Sequence, residues 1–269
     1  MEHNGSETRN LLLYFLIAYA ISWVIWSPLL VFGQEISAAS LLIIIGGFGP
    51  LLSAVIVTWI VEGRAGLREL RNRVKWRVGV GWYLVALLLP IVIAFLVYGL
   101  YLLVGGTPAD FSSVPSWYIY PIGLLFVFFL GGGNEEPGWR GFALPRLLTD
   151  HSPLVASLIL GLIWAFWHFP LFFAEGSPQA ELPFELYLPH VLGMTIIFTW
   201  LYLKTNGSLF IAMLYHAGLN TVAGYFPMES IGFIHPLAYA VILEWVIAII
   251  LVIAYGLARF VGKGSFQER

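Results

Sequence analysis

The chain has 269 residues, of which 59% are hydrophobic and 10% are charged, and its formal net charge is −2. A mean hydropathy of +0.86 is too apolar for an ordinary soluble domain, so the composition predicts an integral membrane protein. The chain has no cysteine. Disulfides, thiol nucleophiles and thiolate metal ligands are therefore excluded, and any metal would depend on His, Glu, Asp or Asn.

Apolar stretches long enough to cross a membrane follow one another along the whole chain. A crossing helix needs about 20 mainly apolar residues. That length predicts an all-α, polytopic membrane protein with about eight transmembrane helices. Their expected ranges are 11–32, 39–61, 80–104, 117–133, 154–174, 189–203, 208–226 and 237–260. The loops are short, so residues 1–269 are expected to form a single helical membrane domain, whose first apolar run is retained rather than cleaved as a signal peptide.

The basic residues predict the orientation of these helices in the cell membrane. With the amino terminus inside, the external segments are 33–38, 105–116, 175–188 and 227–236. The cytoplasmic segments are then 62–79, 134–153, 204–207 and 261–269. All 13 basic residues fall on the cytoplasmic side, which is the positive-inside pattern. They are Arg9, Arg64, Arg68, Arg71, Arg73, Lys75, Arg77, Arg140, Arg146, Lys204, Arg259, Lys263 and Arg269. Both termini are therefore expected in the cytoplasm.

The basic 62–79 segment has two interpretations. The simpler one is a solvated loop. The alternative is an amphipathic helix on the anionic inner leaflet. Its membrane side would then carry Leu67, Leu70, Val74 and Trp76.

Away from the loop charges, few polar side chains remain at membrane depth. They are Glu135, Glu136, Arg140, His168, His216, Asn220 and Glu244. Ionisable groups are costly there and usually mark a pathway or a reactive site. Glu136 and Arg140 have the i, i+4 spacing of one helix face, and so do His216 and Asn220. Glu244 lies near the external end of the last helix, where an interhelical hydrogen bond or snorkelling to the interface is expected and not catalysis. His151, His190 and His235 fall at predicted helix ends and are interpreted as interfacial.

Two predicted turns set the relative depths of these residues. The fourth and fifth helices should turn near 150–153, with Glu135 about as far before the turn as His168 is after it. At 1.5 Å per residue, the two should lie level. The turn at "KTNGS" places His216 roughly 15 Å above its own helix start, near the same layer.

The stretch "GGGNEEPGW" predicts a break in the fourth helix. Its glycines can interrupt the helix, Asn134 is a candidate N-cap, and Pro137 suits a first turn. Irregular backbone at this depth has to be buried in protein or to line water, so a wet cavity opening inward is expected.

Three short motifs follow in a fixed order: "EEPGWRGFALPRL" fits Glu-Glu-x-x-x-Arg, "WAFWH" fits aromatic-x-x-x-His, and "HAGLN" fits His-x-x-x-Asn. With them the sequence resembles the CPBP (CAAX protease and bacteriocin-processing, or Abi) intramembrane proteases, which include the type II CAAX prenyl endopeptidases. The resemblance covers 117–224, the expected catalytic core. One departure is Trp164, where the pattern often has Phe.

The resemblance implies an endopeptidase that cleaves membrane-anchored peptides, prenylated or not, from the cytoplasmic side. It implies that Glu135 and His168 activate a water and that His216 and Asn220 stabilise the oxyanion. The expected partners are a membrane-anchored protein or peptide substrate and the lipid bilayer, with no nucleic acid.

The second glutamate and the arginine of the first motif correspond to Glu136 and Arg140. We interpret them as an ion pair that orients the helix and adjusts the surroundings of Glu135. Family members are commonly named metalloproteases. Glu135, His168 and His216 could supply three ligands to a divalent metal such as zinc. No His-Glu-x-x-His motif occurs, so the zinc helix of soluble proteases is excluded. A metal-free glutamate mechanism fits the same residues, and both alternatives stand.

Two other classes of function also use these residue types. One is a non-proteolytic membrane chaperone or maturation partner that keeps the motif residues for structure. The other is a transporter with a proton relay, although the paired repeats of many transporters are not evident in the sequence.

Overall fold

A computed structural model describes residues 2–32 and 39–255, and these residues form helices without a β-strand. In chain order the helices are α1 (Glu2–Phe32), α2 (Ala39–Gly46), α3 (Gly49–Asn72), α4 (Val80–Leu103), α5 (Tyr120–Leu130), α6 (Glu136–Gly138), α7 (Leu144–Asp150), α8 (Pro153–Trp167), α9 (Phe184–Lys204), α10 (Leu209–Ala223) and α11 (Leu237–Tyr255). A π-helical turn, Trp139–Ala143, joins α6 to α7. Turns of 3-10 helix occur at Phe111–Ser113, Trp117–Ile119, Gly133–Glu135 and Phe169–Phe173.

Within the described residues, seven helical stretches are long and apolar enough to cross a membrane. They are Ser6–Phe32, Ser40–Asn72, Val80–Leu103, Trp117–Asp150, Pro153–Phe173, Phe184–Lys204 and Leu237–Ala254. The expected all-α, polytopic membrane protein is confirmed. The one expected crossing that is missing from these seven is 208–226. It holds α10, which has 15 residues. At 1.5 Å per residue that is about 22 Å, short of the roughly 30 Å hydrocarbon core. It packs against α4, α5 and α9.

The fourth span differs most from its predicted range. Residues 134–150, expected in a cytoplasmic segment, continue the helical run to Asp150. Arg140 is therefore fully buried inside the bundle instead of lying in a loop. The turns predicted at 150–153 and 204–208 are confirmed, because α8 starts at Pro153 and α10 starts at Leu209. The predicted loop 33–38, the end of the last span at 256–260 and the segment 261–269 lie outside the described residues, as do Arg259, Lys263 and Arg269.

Basic residues of several helices meet at one end of the bundle, which we call the basic end and define by Arg73, Lys75 and Arg146. Nε of Arg146 pairs with Glu7 at 3.2 Å, and its Nη2 pairs with Glu62. Nζ of Lys75 donates to the carbonyl oxygen of Asn206 at 3.1 Å. These bonds bring together the start of α1, the end of α3, α7 and the turn before α10. The grouping is the one that the basic residues predicted, and its cytoplasmic orientation stays a prediction.

Helix α3 bends at Gly63, where φ is 62°. The helical turns between Gly63 and Asn72 carry several arginines, and one side of them packs against the rest of the protein. Leu70 lies against Gly141, since a methyl group placed on Gly141 would be only 2.9 Å from Cδ1 of Leu70. The interpretation of Leu70 as membrane-facing is therefore wrong, and the helix ends at Asn72 instead of running through 62–79.

Aromatic rings fill the space between α1, the π-helical turn and α8. Tyr14 stacks on Phe142 with ring centroids 4.8 Å apart. Trp167 lies 5.6 Å from Trp139 and 4.8 Å from Trp26, measured between ring centroids. These large, buried rings hold the π-helical turn at a fixed distance from α8.

Candidate active site

The fourth span breaks where the glycine run predicts it. Helix α5 ends at Leu130, and Gly132 takes φ 133°, a conformation that favours glycine. The chain resumes as a 3-10 turn at Gly133, and Pro137 occupies the first turn of α6, as expected. The break turns the next two side chains, Glu135 and Glu136, into the interior, where both are buried.

Asn134 does not act as the N-cap that the sequence suggested. It is the second residue of the 3-10 turn Gly133–Glu135, and the N-cap position of that turn is Gly132. Its Oδ1 accepts from the amide of Gly132 at 3.0 Å, and its Nδ2 donates to the carbonyl oxygen of Gly47 at 3.1 Å. Asn134 therefore ties the break to the junction between α2 and α3.

Glu135 is held by two indole groups. Its Oε2 accepts from Nε1 of Trp164 at 2.9 Å and from Nε1 of Trp139 at 3.1 Å. Its Oε1 has no hydrogen bond within the described residues. One carboxylate oxygen is thus fixed, and the other is left to receive a ligand or a proton.

His168 caps the end of α8, one turn after Trp164. Its Nδ1 lies 2.9 Å from the carbonyl oxygen of Trp164. Because a carbonyl can only accept, Nδ1 is the donor, and Nε2 of the neutral ring is left as an acceptor. Trp164 bonds to both Glu135 and His168, in line with their expected level placement.

Glu136 and Arg140 form the predicted ion pair, and a histidine joins it. Oε1 of Glu136 accepts from Nη1 of Arg140 at 3.0 Å and from Nδ1 of His216 at 2.7 Å. The guanidinium carbon of Arg140 lies 4.1 Å from the ring centroid of Phe198 and 4.5 Å from that of Trp164. Oε2 of Glu136 and both Nε and Nη2 of Arg140 have no partner in the described part of the chain. Removal of one partner from such a buried pair would leave an uncompensated charge and be strongly destabilising.

His216 and Asn220 face one point beside Gly132. A methyl group placed on Gly132 would lie 2.7 Å from Nε2 of His216 and 2.7 Å from Nδ2 of Asn220. Glycine leaves this space open. The amide of Asn220 also donates to the carbonyl oxygen of Gly131 at 2.9 Å, which orients it. The methyl position itself is one bond length from Cα of Gly132, so no substrate atom can occupy it. Because both nitrogens lie 2.7 Å from that position, they are close enough to each other to bond to one oxygen atom beside Gly132.

His216 also links the two parts of the candidate site. Its ring centroid lies 5.3 Å from that of Trp164, which bonds to Glu135 and whose ring centroid is 6.0 Å from that of His168. The structure therefore brings together all six residues that the motifs indicated. They are Glu135, Glu136, Arg140, His168, His216 and Asn220.

The candidate metal ligands are not grouped as a metal site. No group of three or more His, Asp and Glu side chains among residues 2–32 and 39–255 is arranged to hold a metal ion. Oε2 of Glu135 accepts from two indoles, and Nδ1 of His216 binds Glu136. These bonds leave Oε1 of Glu135 and Nε2 of both histidines without a partner among the described residues. The placement of Glu135, His168 and His216, and not the loss of their ligand atoms, is therefore what does not fit a three-ligand metal site.

Sequence reasoning missed several residues that shape the site. Trp139 lies four residues after Glu135, so helical spacing alone could have indicated its contact. Phe198 belongs to no motif, and no sequence signal marked it. Gly132 was indicated only as part of the glycine run that breaks the helix, not as a neighbour of His216 and Asn220. Trp164, expected as an aromatic wall, is also a hydrogen-bond donor to Glu135.

Glu244 lies in a separate polar cluster. Its Oε2 binds Nδ1 of His190 at 2.7 Å, which confirms the expected interhelical hydrogen bond. His190 lies in the second turn of α9, which begins at Phe184, and its interfacial placement stays a prediction.

Comparison with known proteins gives two findings. The family model described as type II CAAX prenyl endopeptidase, Rce1-like, matches residues 115–222. The chain is also 30% identical to CAAX prenyl protease 2 of Methanococcus maripaludis over 233 residues, which cover 80% of this chain and 84% of that protein. The segment matched by the family model contains all six residues of the candidate site.

Proposed function

The chain belongs to the Rce1-like type II CAAX prenyl endopeptidase family, and on that basis we propose that it cleaves a prenylated, membrane-anchored peptide through a water activated by Glu135 and His168. The protein is a multi-pass membrane protease of the CAAX prenyl endopeptidase type. A CAAX substrate carries its prenyl group on a cysteine near the carboxyl terminus. The prenyl chain would lie in the bilayer while the peptide enters the bundle.

Two groups whose acceptor atoms have no hydrogen bond among the described residues would activate the water. Oε1 of Glu135 and Nε2 of His168 can each take a proton from a water molecule. The water oxygen then attacks the carbonyl carbon of the scissile bond, and the proton passes to the nitrogen of the leaving peptide as the C–N bond breaks. The two indoles that hold Oε2 keep the carboxylate from rotating away.

The point beside Gly132 is the proposed oxyanion site. Nδ2 of Asn220 and Nε2 of His216 would donate to the oxygen that becomes negative as water attacks. Donation from Nε2 requires a proton there while Nδ1 binds Glu136. For both bonds to form, Glu136 and His216 must together hold one proton more than an ionised Glu136 and a His216 that is protonated only on Nδ1. Arg140, bound to the same glutamate oxygen, fixes the carboxylate that orients His216.

The mechanism that we propose needs no metal ion. The supporting observation is that no group of three or more His, Asp and Glu side chains among residues 2–32 and 39–255 is arranged to hold a metal ion. The single observation that best supports the proteolytic function is that two side-chain donors, Nε2 of His216 and Nδ2 of Asn220, approach Gly132 together, each 2.7 Å from where a methyl group on that residue would lie.

The direct test uses purified protein in phospholipid vesicles. A prenylated CAAX peptide and the same peptide without the prenyl group are incubated with it, and the released tripeptide is measured by mass spectrometry. Glu135→Gln should abolish release without lowering thermal stability, because glutamine keeps a carbonyl oxygen for the two indoles. Glu244→Gln, the same change at another buried glutamate, should retain activity.

Two results would count against the proposal. Cleavage by Glu135→Gln at the wild-type rate would remove Glu135 from the chemistry. Equal cleavage of the peptide with and without its prenyl group would leave a protease but contradict the proposed substrate.

A further inference from the structure

The carbonyl oxygen of Gly141 lies in the π-helical turn and lacks the donor that an α-helix would give it. In an α-helix this oxygen accepts from the amide four residues later, but that residue is Pro145, which has no N–H. Gly141 is buried, so bulk water is not at hand to replace the donor. Nη1 of Arg73 donates to it instead, at 2.7 Å. A charged side chain from the end of α3 thus supports the turn one residue after Arg140.

The backbone of Arg73 makes a second connection, to α10. Its carbonyl oxygen accepts from the amide of Leu209, the first residue of α10, at 2.9 Å. The first amides of a helix have no partner inside the helix, so this bond fixes where α10 starts. Lys75 strengthens the connection, because its carbonyl oxygen accepts from Oγ of Ser208 at 2.5 Å.

These two connections join the two halves of the candidate site. One half is the π-helical turn with Arg140, and the other is α10 with His216. The halves meet at Oε1 of Glu136, where the bonds to Arg140 and His216 are 3.0 Å and 2.7 Å long. A displacement of about 1 Å between catalytic groups can cost about 10²-fold in rate. A residue that fixes both halves therefore affects turnover without touching the substrate.

The side chain of Arg73 is itself held in place. Its Nη2 binds Oε1 of Glu69, one turn earlier, at 2.6 Å. By contrast, the side chain of Arg71 is exposed and has no hydrogen bond or ion pair within the described residues. The two arginines carry the same charge at the same end of α3, so Arg71 is a matched control.

We propose that Arg73 is a positioning residue that sets the register between the π-helical turn and α10. This inference rests on the roles proposed above for His216 and Asn220. Because its guanidinium and its carbonyl bind different halves of the site, Arg73 determines how Glu136 and His216 meet.

Hydrogen exchange tests the structural part independently of catalysis. We expect Arg73→Ala to increase deuterium uptake in peptides covering 139–147, whereas Arg71→Ala leaves it unchanged. Uptake that is the same in both variants would overturn the proposal. Arg73→Gln keeps an N–H donor for Gly141 and should give an intermediate increase, so the comparison holds even where the alanine variant folds poorly.

Kinetics tests the positioning role. Arg73→Ala should lower kcat by about 10- to 100-fold and change KM little, while Arg71→Ala changes neither. In an Asn220→Ala background, the same substitution should lower kcat by less than about threefold, because the oxyanion site that it positions is already impaired. A full, multiplicative loss in that background would overturn the positioning role. If Asn220→Ala alone left kcat unchanged, the proposed oxyanion role would be refuted. Hydrogen exchange would then still test whether Arg73 joins the π-helical turn to α10.

Discussion

Replacing Asn220 with alanine tests the oxyanion site with little disturbance of the fold. Asn220 is exposed, and among the described residues its amide makes one hydrogen bond, to the carbonyl oxygen of Gly131 at 2.9 Å. Substitutions at exposed positions usually change stability by less than about 0.5 kcal/mol. The change should therefore act on the transition state and leave the bundle intact.

The size of the effect follows from the geometry beside Gly132. Two donors face the point, one from Asn220 and one from His216, and the substitution removes one of them. Loss of one oxyanion donor typically costs about 10²–10³ in kcat, which corresponds to about 2.7–4 kcal/mol. Because the oxygen gains its charge only as water attacks, KM should change little.

The assay is steady-state cleavage of a prenylated CAAX peptide that carries a fluorophore and a quencher. Thr221→Val is the control, because it replaces the neighbouring hydroxyl, which has no partner in the described part of the chain, with a methyl group of similar size. That variant should retain its kcat. A loss of less than about fivefold for Asn220→Ala, well below the usual cost of an oxyanion donor, would refute the reasoning. So would a change confined to KM, since that indicates substrate binding.

Three further predictions concern the surroundings of the site and its orientation. Trp164→Phe keeps an aromatic ring, a smaller one, but removes the Nε1–H donor whose nitrogen lies 2.9 Å from Oε2 of Glu135, and it should lower kcat by about tenfold; an unchanged kcat would mean that Trp164 is only an aromatic wall. Arg140→Ala leaves Glu136 buried without its guanidinium partner and should cost about 3–5 kcal/mol in stability as well as lowering turnover, measured by thermal unfolding in detergent and by peptide release; a stable, active variant would contradict the orienting role. Single cysteines at Arg71 and Glu181 should be labelled from opposite sides of the membrane, and labelling from the same side would contradict the topology.

Features that depend on local spacing could be predicted from the sequence. The i, i+4 spacing of Glu136 and Arg140 predicted their ion pair, because helix geometry alone brings such side chains together. The glycine run at 131–133 predicted the break before Glu135, since glycine lacks a Cβ and tolerates the required backbone angles. The lengths of the apolar runs predicted a polytopic membrane protein, because the thickness of the bilayer fixes the length of a crossing helix.

Contacts between helices could not be predicted in this way. The bond from His216 to Glu136 depends on how each helix is rotated and how deep it lies. In helices that are apolar on every side, the hydrophobic pattern does not set that rotation. The bond from Arg73 to Gly141 could not be predicted for another reason. It depends on the bend of α3 at Gly63 and on the carbonyl oxygen of Gly141, which has no α-helical donor because Pro145 lacks an N–H.

The central claim is that Glu135 and His168 activate water without a metal, and one measurement tests it most directly. Purified protein is treated exhaustively with chelator, its zinc content per chain is determined, and cleavage of the prenylated peptide is measured on the same sample. The account predicts undiminished turnover with far less than one zinc per chain. Stoichiometric zinc that is lost together with activity, and restores activity when added back, would contradict it. That result would make Glu135, His168 and His216 ligands and leave Glu136 as the candidate base.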